Sequence, residues 1–584
     1  MEKIEESSPL RITPTVQALS FALRGKRPNT PGAHSGRGPG DVDKSGGEPA
    51  DKLWFKESSA KNLRNRDFLS PTTMLNTLYA DGQVPPTVMS RVLSLRGGGV
   101  LPLAGAEVMG EGLRLRVDRA ASFGAVLAGG ASEYMKPSVQ RQGRVVINCP
   151  ALHPRPSGPS PATLTLGQLR TVLVADHTGA LLRRQGLTVS YCPVLPEGSD
   201  VMAFLHTLGV DWPTVPASWS GAQREEKVQE ALAGSPYREE DEPGQRRGGG
   251  GSRGEEEEEE EEEQQGGREK DGALRVNLKR VFQEEGLAGY DPSLGTCTVQ
   301  RDSVSHLAQL EHAAADCKET MATVLHVMSC RDEFRQQQIA MLWRASGATH
   351  TQRHVVCGPV KTPGTNLTAE QYLQLRRGQM KDASEMKYGD QVEGRTWDDI
   401  IRVMTSATIR FELLSTVHTS PVTLDLQREG GVSTKGPRGG VFVMYNCARL
   451  HTLFDSYERG VEKGLYPEIP EASQLDFSAL KEEGEWILLF NYLIPFSELL
   501  DQSGQSLDCE GGGARVNIKT EQVCKFLVAL SKDFSSYYNR VHVLGEPLPH
   551  LFNQMLCRLR MLRALTDLYH SALGTLHLPP IRQL

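Results

Sequence analysis

Apolar positions in the middle of the chain alternate between short runs and helical repeats. Residues 144–148 form an apolar run that predicts a buried strand, and residues 187–191 predict a second one. Between them, leucines recur at helical spacing over residues 166–184, with His177 on the apolar face and therefore predicted to be core. Gly186 is a good helix stop. Strand, helix and strand in this order predict a βαβ unit and hence a parallel sheet.

The same alternation returns farther along the chain. Residues 321–328 predict a strand, residues 333–345 a helix, and residues 354–358 a further strand. The adjacent acids Asp332 and Glu333 are predicted to form the amino end of that helix, where carboxylates are favourable, and not a paired catalytic site. The segment between the two α/β stretches therefore interrupts one domain instead of ending it.

Long helical repeats replace this alternation from Trp397 onward. They span residues 400–414, 441–459, 485–500, 520–538 and 552–576. In the last repeat the apolar stripe consists of Met555, Leu559, Leu562, Leu565 and Tyr569. Arg560 and Arg563 lie off that stripe, and Arg558 lies nearer to it. The carboxyl-terminal part is therefore predicted to be an all-α domain.

Glycine and proline mark the stretches that cannot build a core. The chain contains 58 Gly and 34 Pro, and they cluster in a few stretches, among them residues 25–50 and the low-complexity stretch 217–271. The predicted organisation is as follows: 1–50 disordered, 51–140 an additional α/β or α+β domain, 141–216 and 272–396 the two halves of a Rossmann-like domain, 217–271 a disordered acidic insertion, and 397–584 a helical domain.

Charge is distributed unevenly along the chain. The formal net charge is 65 − 72 = −7, but residues 255–263 are nine consecutive glutamates, without which the balance is 65 − 63 = +2. Residues 514–584 hold nine basic and four acidic side chains, a local balance of 9 − 4 = +5. The carboxyl-terminal domain therefore suits a polyanionic partner, whereas the insertion should be extended and should repel phosphate.

Cysteine spacing and hydropathy argue against several classes of protein. None of the ten cysteines forms a CxxC pair, so no zinc ribbon or thioredoxin-like site is expected, and no metal or cofactor is predicted. The acidic first residues argue against a secretory or mitochondrial leader, and no run of 18 apolar residues predicts a membrane span. These features favour a cytoplasmic protein and leave the nucleus open.

Motifs in the carboxyl-terminal part occur in an order that is similar to a known domain. Tyr445 and Arg449 lie in the run 440–450, Phe-Ser-Ser-Tyr-Tyr-Asn fills 534–539, and a Gly-Thr-Leu-His-Leu-Pro-Pro tail closes the last helix at 574–580. Together they resemble the DALR anticodon-binding domain of arginyl-tRNA synthetases. The resemblance covers residues 397–584 and implies a helical bundle that binds the anticodon arm of tRNA.

The α/β part resembles the class I catalytic domain of the same family. Arginyl-tRNA synthetases carry a His-x-Gly-His-Leu-Arg signature, whose histidines help bind ATP and stabilise charge as the adenylate forms. Thr165 and Gln168 replace both histidines here, whereas Gly167, the leucine and the arginine remain. Because losing one preorganised donor costs about 10²- to 10³-fold in rate, the resemblance implies a degenerate class I Rossmann-like domain with no catalytic residues.

A protein that recognises an anticodon loop needs basic side chains and aromatic rings on its surface. Phosphate contacts give salt-dependent affinity, and unstacked bases stack on aromatic rings or arginine planes. The candidate tRNA-binding residues are Arg558, Arg560, Arg563, Arg540, Lys532, Tyr537, Tyr538, His542, Tyr445 and Arg449. Tyr537 and Tyr538 also suit a helical core, and Arg560 and Arg563 also suit a solvated helix face.

Three functions are compatible with these features. The leading hypothesis is a non-catalytic protein that binds arginine tRNAs. A degenerate synthetase body with an acidic insertion and a DALR domain resembles tRNA-recognition partners of a methyltransferase-like enzyme that makes 3-methylcytidine in the anticodon loop of certain arginine tRNAs, so the resemblance implies that partner. The alternatives are an active arginyl-tRNA synthetase and a scaffold that contacts proteins and not RNA.

Overall fold

The chain, a computed structural model, forms two compact units. The structure describes residues 8–25, 53–79, 82–128, 131–153, 160–216, 218, 220–239, 274–315, 322–389, 392, 394–426, 439–505, 507 and 514–582. The first unit comprises Met1–Val139, Ser433–Gln502 and Gln522–Leu584, and the second comprises Gln140–Val432 and Ser503–Glu521. The glutamate run at 255–263 lies outside the described residues.

The amino-terminal part of the first unit contains an antiparallel sheet with helices. Its elements are α1 (Ile12–Arg24), β1 (Lys56–Glu57), β2 (Phe68–Pro71), α2 (Thr72–Leu78), α3 (Pro86–Leu93), β3 (Leu103–Met109), β4 (Gly112–Val117) and α4 (Arg119–Ala128). The strand order is β1-β2-β4-β3, and every pair is antiparallel. Phe68 and Leu115 are paired in register and buried, so their face of the sheet belongs to the core.

Helix α1 corrects the expectation that residues 1–50 are disordered. Ile12, Val16, Leu19 and Leu23 are buried and recur every three or four residues, which places them on one face of the helix. Gly25 ends the helix with a φ of 77°, a left-handed conformation that glycine adopts without a steric penalty. The prediction is therefore wrong for residues 12–24, because the composition of the whole stretch obscured one short amphipathic helix.

The second unit carries the predicted alternation of strands and helices. Its elements are β5 (Arg144–Asn148), α5 (Leu166–Arg184), β6 (Thr188–Cys192), β7 (Leu195–Pro196), α6 (Asp200–Thr207), β8 (Thr214–Val215), α7 (Ala222–Ala233), β9 (Arg275–Asn277), α8 (Leu278–Glu284), β10 (Thr296–Thr298), α9 (Arg301–Ala314), β11 (Thr323–Ser329), α10 (Glu333–Ala345), β12 (Thr351–Cys357), β13 (Val360–Lys361), α11 (Ala369–Tyr388), α12 (Arg395–Leu414) and β14 (Val422–Thr423).

A parallel sheet of order β12-β11-β5-β6 forms the centre of this unit. The predicted units β5-α5-β6 and β11-α10-β12 are both confirmed, and Asp332 and Glu333 stand at the start of α10 as expected. From β5 the chain first adds β6 on one side and later β11 on the other. A crevice at the carboxyl ends of β5 and β11 is where sheets of this kind hold their ligands.

Helix α5 is buried along nearly its whole length, including its polar side chains. Asp176 and Arg410 of α12 form an ion pair of 2.8 Å between two fully buried side chains. His177 is core, as predicted, and its Nε2 lies 3.2 Å from the carbonyl oxygen of Thr520. The second unit is thus specified by polar contacts within its core as well as by apolar packing.

Helix α12 belongs to the second unit, so the predicted boundary of the helical domain at residue 397 is wrong. Its residues Ser406 and Arg410 both donate to the carbonyl oxygen of Leu208, at 2.8 and 2.9 Å. A helical repeat identifies a helix but does not say which domain the helix packs against, and for that reason the sequence pattern alone misplaced this boundary.

The carboxyl-terminal part of the first unit is helical. Its elements are α13 (Gly440–Glu462), α14 (Glu483–Leu488), α15 (Phe496–Gln505), α16 (Glu521–Arg540) and α17 (Pro549–Gly574). The repeats predicted at 441–459, 520–538 and 552–576 are confirmed with small shifts of their ends. The repeat predicted at 485–500 is split, because a π-helical turn at Leu489–Leu493 separates α14 from α15.

Trp486 joins the helical part of this unit to its amino-terminal sheet. The indole Nε1 donates to Asp67 at 2.7 Å, and the ring packs edge-to-face on Phe123 with centroids 5.9 Å apart. Phe68 and Phe490 make a second aromatic contact with centroids 5.6 Å apart. Residues from the two ends of the chain therefore share one core.

Candidate nucleic-acid interface

Two of the predicted tRNA contacts, Arg558 and Tyr537, are structural residues. Arg558 of α17 forms an ion pair with Glu485 through Nε and Oε1 at 2.7 Å, where the Glu485 side chain is fully buried and that of Arg558 is 12% exposed. Tyr537 is 1% exposed, and its hydroxyl donates to the same carboxylate at 3.4 Å. The buried Tyr537 ring offers no face to a base, which agrees with the alternative that this residue belongs to a helical core, whereas contact of Arg558 with tRNA stays a prediction.

Burial and hydrogen bonding shift the pKa of Glu485 in opposite directions. Burial raises the pKa of Glu485, and the hydrogen bond from Arg558 acts in the opposite direction. Burial beside Glu485 also raises the pKa of Tyr537, so the phenol stays protonated and donates. Glu485 therefore holds α14, α16 and α17 together.

The other two arginines of α17 differ in exposure. Arg560 is half-buried, and its Nη2 lies 3.5 Å from the carbonyl oxygen of Leu127 at the end of α4. The exposed guanidinium of Arg563 lies over the Phe454 ring, 4.0 Å from its centroid, and 3.4 Å from a carboxylate oxygen of Glu458. Arg563 is thus the more accessible of the two to a phosphate.

The clearest surface arrangement is a cluster of Tyr445, Arg449, Ser535 and Tyr538, here called the tyrosine–arginine cluster. The Arg449 guanidinium lies 4.8 Å from the ring centroids of both tyrosines. Its Nη1 donates to Ser535 Oγ at 3.1 Å, and its Nη2 lies 3.4 Å from the Tyr445 hydroxyl. All four side chains are half-exposed. Aromatic planes beside a fixed guanidinium are the groups on which unstacked bases bind.

Helix geometry explains why these four residues meet. Tyr445 and Arg449 are four residues apart on α13, and Ser535 and Tyr538 are three apart on α16, so each pair shares a helix face. Buried Cys447 and Phe534 lie on other faces of the same helices, within the core. Sequence reasoning missed Ser535, although its spacing from Tyr538 is the signal that could have found it.

Lys532, Arg540 and His542 are exposed near the end of α16. The Arg540 Nε donates to the Ser536 carbonyl oxygen at 3.2 Å, which leaves its other N–H groups toward solvent. Together with Arg563 they are accessible cations or hydrogen-bond donors on the first unit. Their contact with tRNA stays a prediction.

The three signature positions in the second unit have a structural role. Thr165 is the N-cap of α5: its Oγ1 accepts from the Gln168 backbone N–H at 3.2 Å, and the Gln168 side chain accepts from the Thr165 N–H at 3.0 Å. Gly167 lies between them in the first turn. This reciprocal pair is a capping box, so Thr165 and Gln168 serve to start the helix.

Arg170, the arginine of the same signature, is fully buried. Its guanidinium donates to five carbonyl oxygens, at 2.7 to 3.3 Å, and these belong to Gly358, Leu413, Thr416, Val417 and Ser420. Burial lowers the pKa of Arg170. The side chain therefore closes the carboxyl end of α12 and the turn that follows it, a role that sequence reasoning missed.

Histidines fill the crevice at the carboxyl ends of β5 and β11. The rings of His153 and His306 stack with centroids 3.4 Å apart, and Asn148 hydrogen-bonds to both, at 2.7 and 3.2 Å. The cavity that remains has a volume of about 60 Å³. It is lined by Pro150, His153, Asp302, His306, Asp332, Arg335, Gln336 and Ile339.

His326 extends this network beneath the cavity. It lies 2.9 Å from Asn148 and 2.9 Å from Gln352, and its ring meets that of His354 edge-to-face. Sequence reasoning missed the cluster, whose signal is that His326 and His354 occupy paired positions on neighbouring strands. Within the described ranges, no group of three His, Cys, Asp or Glu side chains is arranged to hold a metal ion. In the same part of the chain, no helix is long and apolar enough to span a bilayer.

Two models of known protein families match this chain, one near each end. The model of the DALR, N-terminal domain matches residues 10–134, and that of the DALR anticodon binding domain matches residues 443–584. The chain is 67% identical to the Danio rerio protein named DALR anticodon-binding domain-containing protein 3, over all of both chains. It is 42% identical to the Mus musculus protein of that name, over 91% of this chain and 96% of the relative.

Solved structures with the same fold are arginyl-tRNA synthetases. The Thermus thermophilus enzyme aligns with a TM-score of 0.55 and 15% identity, over 98% of this chain and 100% of that one. The Plasmodium falciparum enzyme aligns with a TM-score of 0.54 and 11% identity, over 91% and 94%. The predicted fold class, a synthetase-like α/β part followed by a helical DALR domain, is thereby confirmed.

The buried histidines predict an acid-sensitive second unit. Burial lowers the pKa of His153 to about 3 and that of His326 to about 4, from 6.5. Below pH 6.5 the unfolded chain binds protons that the folded chain excludes, so stability falls as the pH falls through 6.5 toward the folded pKa values. Between pH 7.5 and 5.5 each such histidine should lower the free energy of unfolding by about 1.4 kcal/mol.

Urea unfolding at the two pH values measures this loss. His326→Gln should lose less stability on acidification than the unsubstituted protein, with the exposed His550→Gln as the matched control. An equal loss for all three proteins would contradict the assignment of the pH dependence to the buried network.

Proposed function

Because the chain belongs to the family of DALR anticodon-binding domain-containing protein 3, we propose that it binds arginine tRNAs by the anticodon arm without aminoacylating them, and that it presents them to a 3-methylcytidine methyltransferase-like partner. The tyrosine–arginine cluster is the observation that carries the RNA-binding part of this proposal. It lies on α13 and α16, within the residues that match the DALR anticodon binding domain.

The geometry of the cluster suits an anticodon loop. Arg449 is fixed by Ser535 and by two tyrosine rings, so a bound base or phosphate does not have to immobilise a free arginine side chain. The half-exposed rings offer stacking surface to splayed bases, and the guanidinium keeps N–H donors for acceptors on a base edge or on the backbone. Lys532, Arg540 and Arg563 add the phosphate contacts that give salt-dependent affinity.

Three features of the second unit support a non-catalytic role. Thr165 and Gln168 are committed to the capping box, and neither can act as an imidazolium donor. Arg170 is buried among carbonyl oxygens and cannot reach a ligand. The crevice at the strand ends keeps about 60 Å³, whereas pockets for ligands of ordinary size measure about 300 to 1,000 Å³.

The proposed partner, compartment and tRNA type are inferred from the resemblance and the composition, not from the geometry of the cluster. A methyltransferase-like partner follows from the resemblance to tRNA-recognition proteins, and the cytoplasm, with the nucleus open, follows from the composition of the chain. Arginine tRNAs as the ligand follow from the resemblance to arginyl-tRNA synthetases. These parts of the proposal are therefore tested separately from RNA binding itself.

Arg449→Ala should weaken tRNA binding because it removes the guanidinium that contacts both tyrosine rings. A loss of about 1 to 3 kcal/mol, or about 5- to 150-fold in Kd, is expected from the stacking of one base. Filter binding of an arginine tRNA at two salt concentrations measures it. Arg459→Ala is the matched control, since Arg459 is an exposed arginine farther along α13 that pairs with Asp455.

The two variants separate the outcomes. If only Arg449→Ala weakens tRNA binding, the result supports the tyrosine–arginine cluster as the binding site. If both variants weaken binding by the same small factor, the effect comes from the loss of one positive charge and not from the cluster. If the unsubstituted protein shifts no tRNA even at low salt, the protein-only scaffold becomes the better account.

Adenylation is tested by arginine-dependent exchange of pyrophosphate into ATP, with tRNA present. We expect no exchange above background, because neither signature histidine is present and the crevice is filled. A signal above background that requires arginine would overturn the non-catalytic part of the proposal and restore the active synthetase as the function.

The partner is tested by isolating the protein from cells and sequencing the RNA that is bound to it. Arginine tRNAs should be enriched over other tRNAs, and cells that lack the protein should lose 3-methylcytidine from those tRNAs. Enrichment without a change in 3-methylcytidine would contradict the methyltransferase partner and leave tRNA binding in place.

A further inference from the structure

The positive charge of Arg449 is held among neutral groups. Within the described residues, its hydrogen bonds go to the hydroxyls of Ser535 and Tyr445, and its guanidinium contacts the rings of Tyr445 and Tyr538. Other arginines of the same helical part are compensated by carboxylates, namely Arg558 by Glu485, Arg563 by Glu458 and Arg459 by Asp455. The tyrosine–arginine cluster is therefore a fixed cation that no carboxylate neutralises.

The guanidinium of Arg449 can only donate hydrogen bonds to a ligand. It carries five N–H groups and no acceptor. One N–H of Nη1 is used on Ser535 at 3.1 Å, and one of Nη2 points at the Tyr445 hydroxyl at 3.4 Å. Three N–H groups are left, so a ligand that approaches this side chain must bring an acceptor to it.

A base that stacks on Tyr445 or Tyr538 would lie beside this guanidinium, whose carbon is 4.8 Å from each ring centroid. A ring nitrogen with a free lone pair would accept a hydrogen bond from Arg449. Methylation of that nitrogen uses the lone pair to form the N–C bond, so the acceptor is lost. In cytosine or adenine the base then also carries a positive charge, which Arg449 repels.

We propose that the tyrosine–arginine cluster discriminates between bases by charge: it binds a neutral base whose ring nitrogen is a free acceptor, and it rejects the same base once N-methylation has made it cationic. This inference rests on the proposed tRNA-binding function of the cluster. It makes Arg449 a specificity-determining residue that acts through its charge as well as through stacking. Such a site binds an anticodon loop before a cationic methyl mark is placed at the contacted base and releases it more readily afterwards.

Synthetic anticodon stem–loops of an arginine tRNA test the proposal. One RNA is unmodified, and in the others a single loop cytidine is replaced by 3-methylcytidine, each position in turn. We expect one position at which the methylated RNA binds about 5- to 100-fold more weakly, because a charged hydrogen bond is lost and a like charge lies about 4 Å away. Fluorescence anisotropy at one fixed salt concentration measures the dissociation constants.

A neutral methylated base separates charge from bulk. 3-Methyluridine carries its methyl group on the same ring nitrogen but has no positive charge. Compared with uridine at the same position, it should weaken binding much less than 3-methylcytidine does compared with cytidine. An equal effect of the two methylated bases would overturn the role of charge and leave a steric effect in its place.

Two substitutions of Arg449 form a matched pair. Arg449→Gln keeps a planar group with N–H donors but removes the charge, so the preference for cytidine over 3-methylcytidine should fall to about 2-fold, the effect of one charge on the RNA as a whole. Arg449→Lys keeps the charge without the planar fork, so it should weaken binding to both RNAs and retain the preference.

The outcomes are distinguishable from a failure of the proposed function. Equal affinity of the unsubstituted protein for cytidine and 3-methylcytidine at every loop position would overturn the charge discrimination and leave tRNA binding in place. An undiminished preference in Arg449→Gln would also overturn it, because the repelling charge would then lie elsewhere. If the unmodified stem–loop does not bind at all, recognition of the anticodon arm is itself wrong.

Discussion

A single buried charge organises the second unit. The side chain of Arg170 is fully buried, and a charge in that position is tolerated only when hydrogen bonds replace its hydration. Carbonyl oxygens at the end of α12, in the next turn and at Gly358 supply those bonds. Arginine suits the place because its planar fork donates in several directions at once, so this residue is required by the fold even where the neighbouring signature residues are not.

The same distinction between scaffold and contact surface applies to the helical domain. Its longest helix, α17, carries arginines in the sequence but serves as the core of the first unit, with Arg558 held by a buried carboxylate. The surface chemistry lies instead on α13 and α16, where Arg449 meets Tyr538. A helix at the centre of a bundle buries most of its length, and of the three arginines of α17 only Arg563 is exposed.

Periodicity was sufficient to predict β5, α5, β6 and the long helices, since each has a strong apolar repeat. It could not predict partners in space. Tyr537 and Tyr538 are adjacent in sequence, yet one is core and the other half-exposed, and the packing of α16 decides which. The tRNA-binding expectation for Arg449 remains a prediction with a defined geometry, whereas α12 was assigned to the wrong domain because a helical repeat does not reveal what lies against it.

The outer strand of a parallel sheet has one edge that no neighbouring strand pairs with, and the second unit covers part of that edge with its own chain. The outer strand β12 offers unpaired N–H and C=O groups that would otherwise invite association with other chains. His354 of β12 exchanges hydrogen bonds with Ala514 and Val516, so a later part of the same unit satisfies part of that strand. Arg515 adds a bidentate ion pair with Glu333 at the start of α10, so backbone pairing and side-chain contacts protect the same edge.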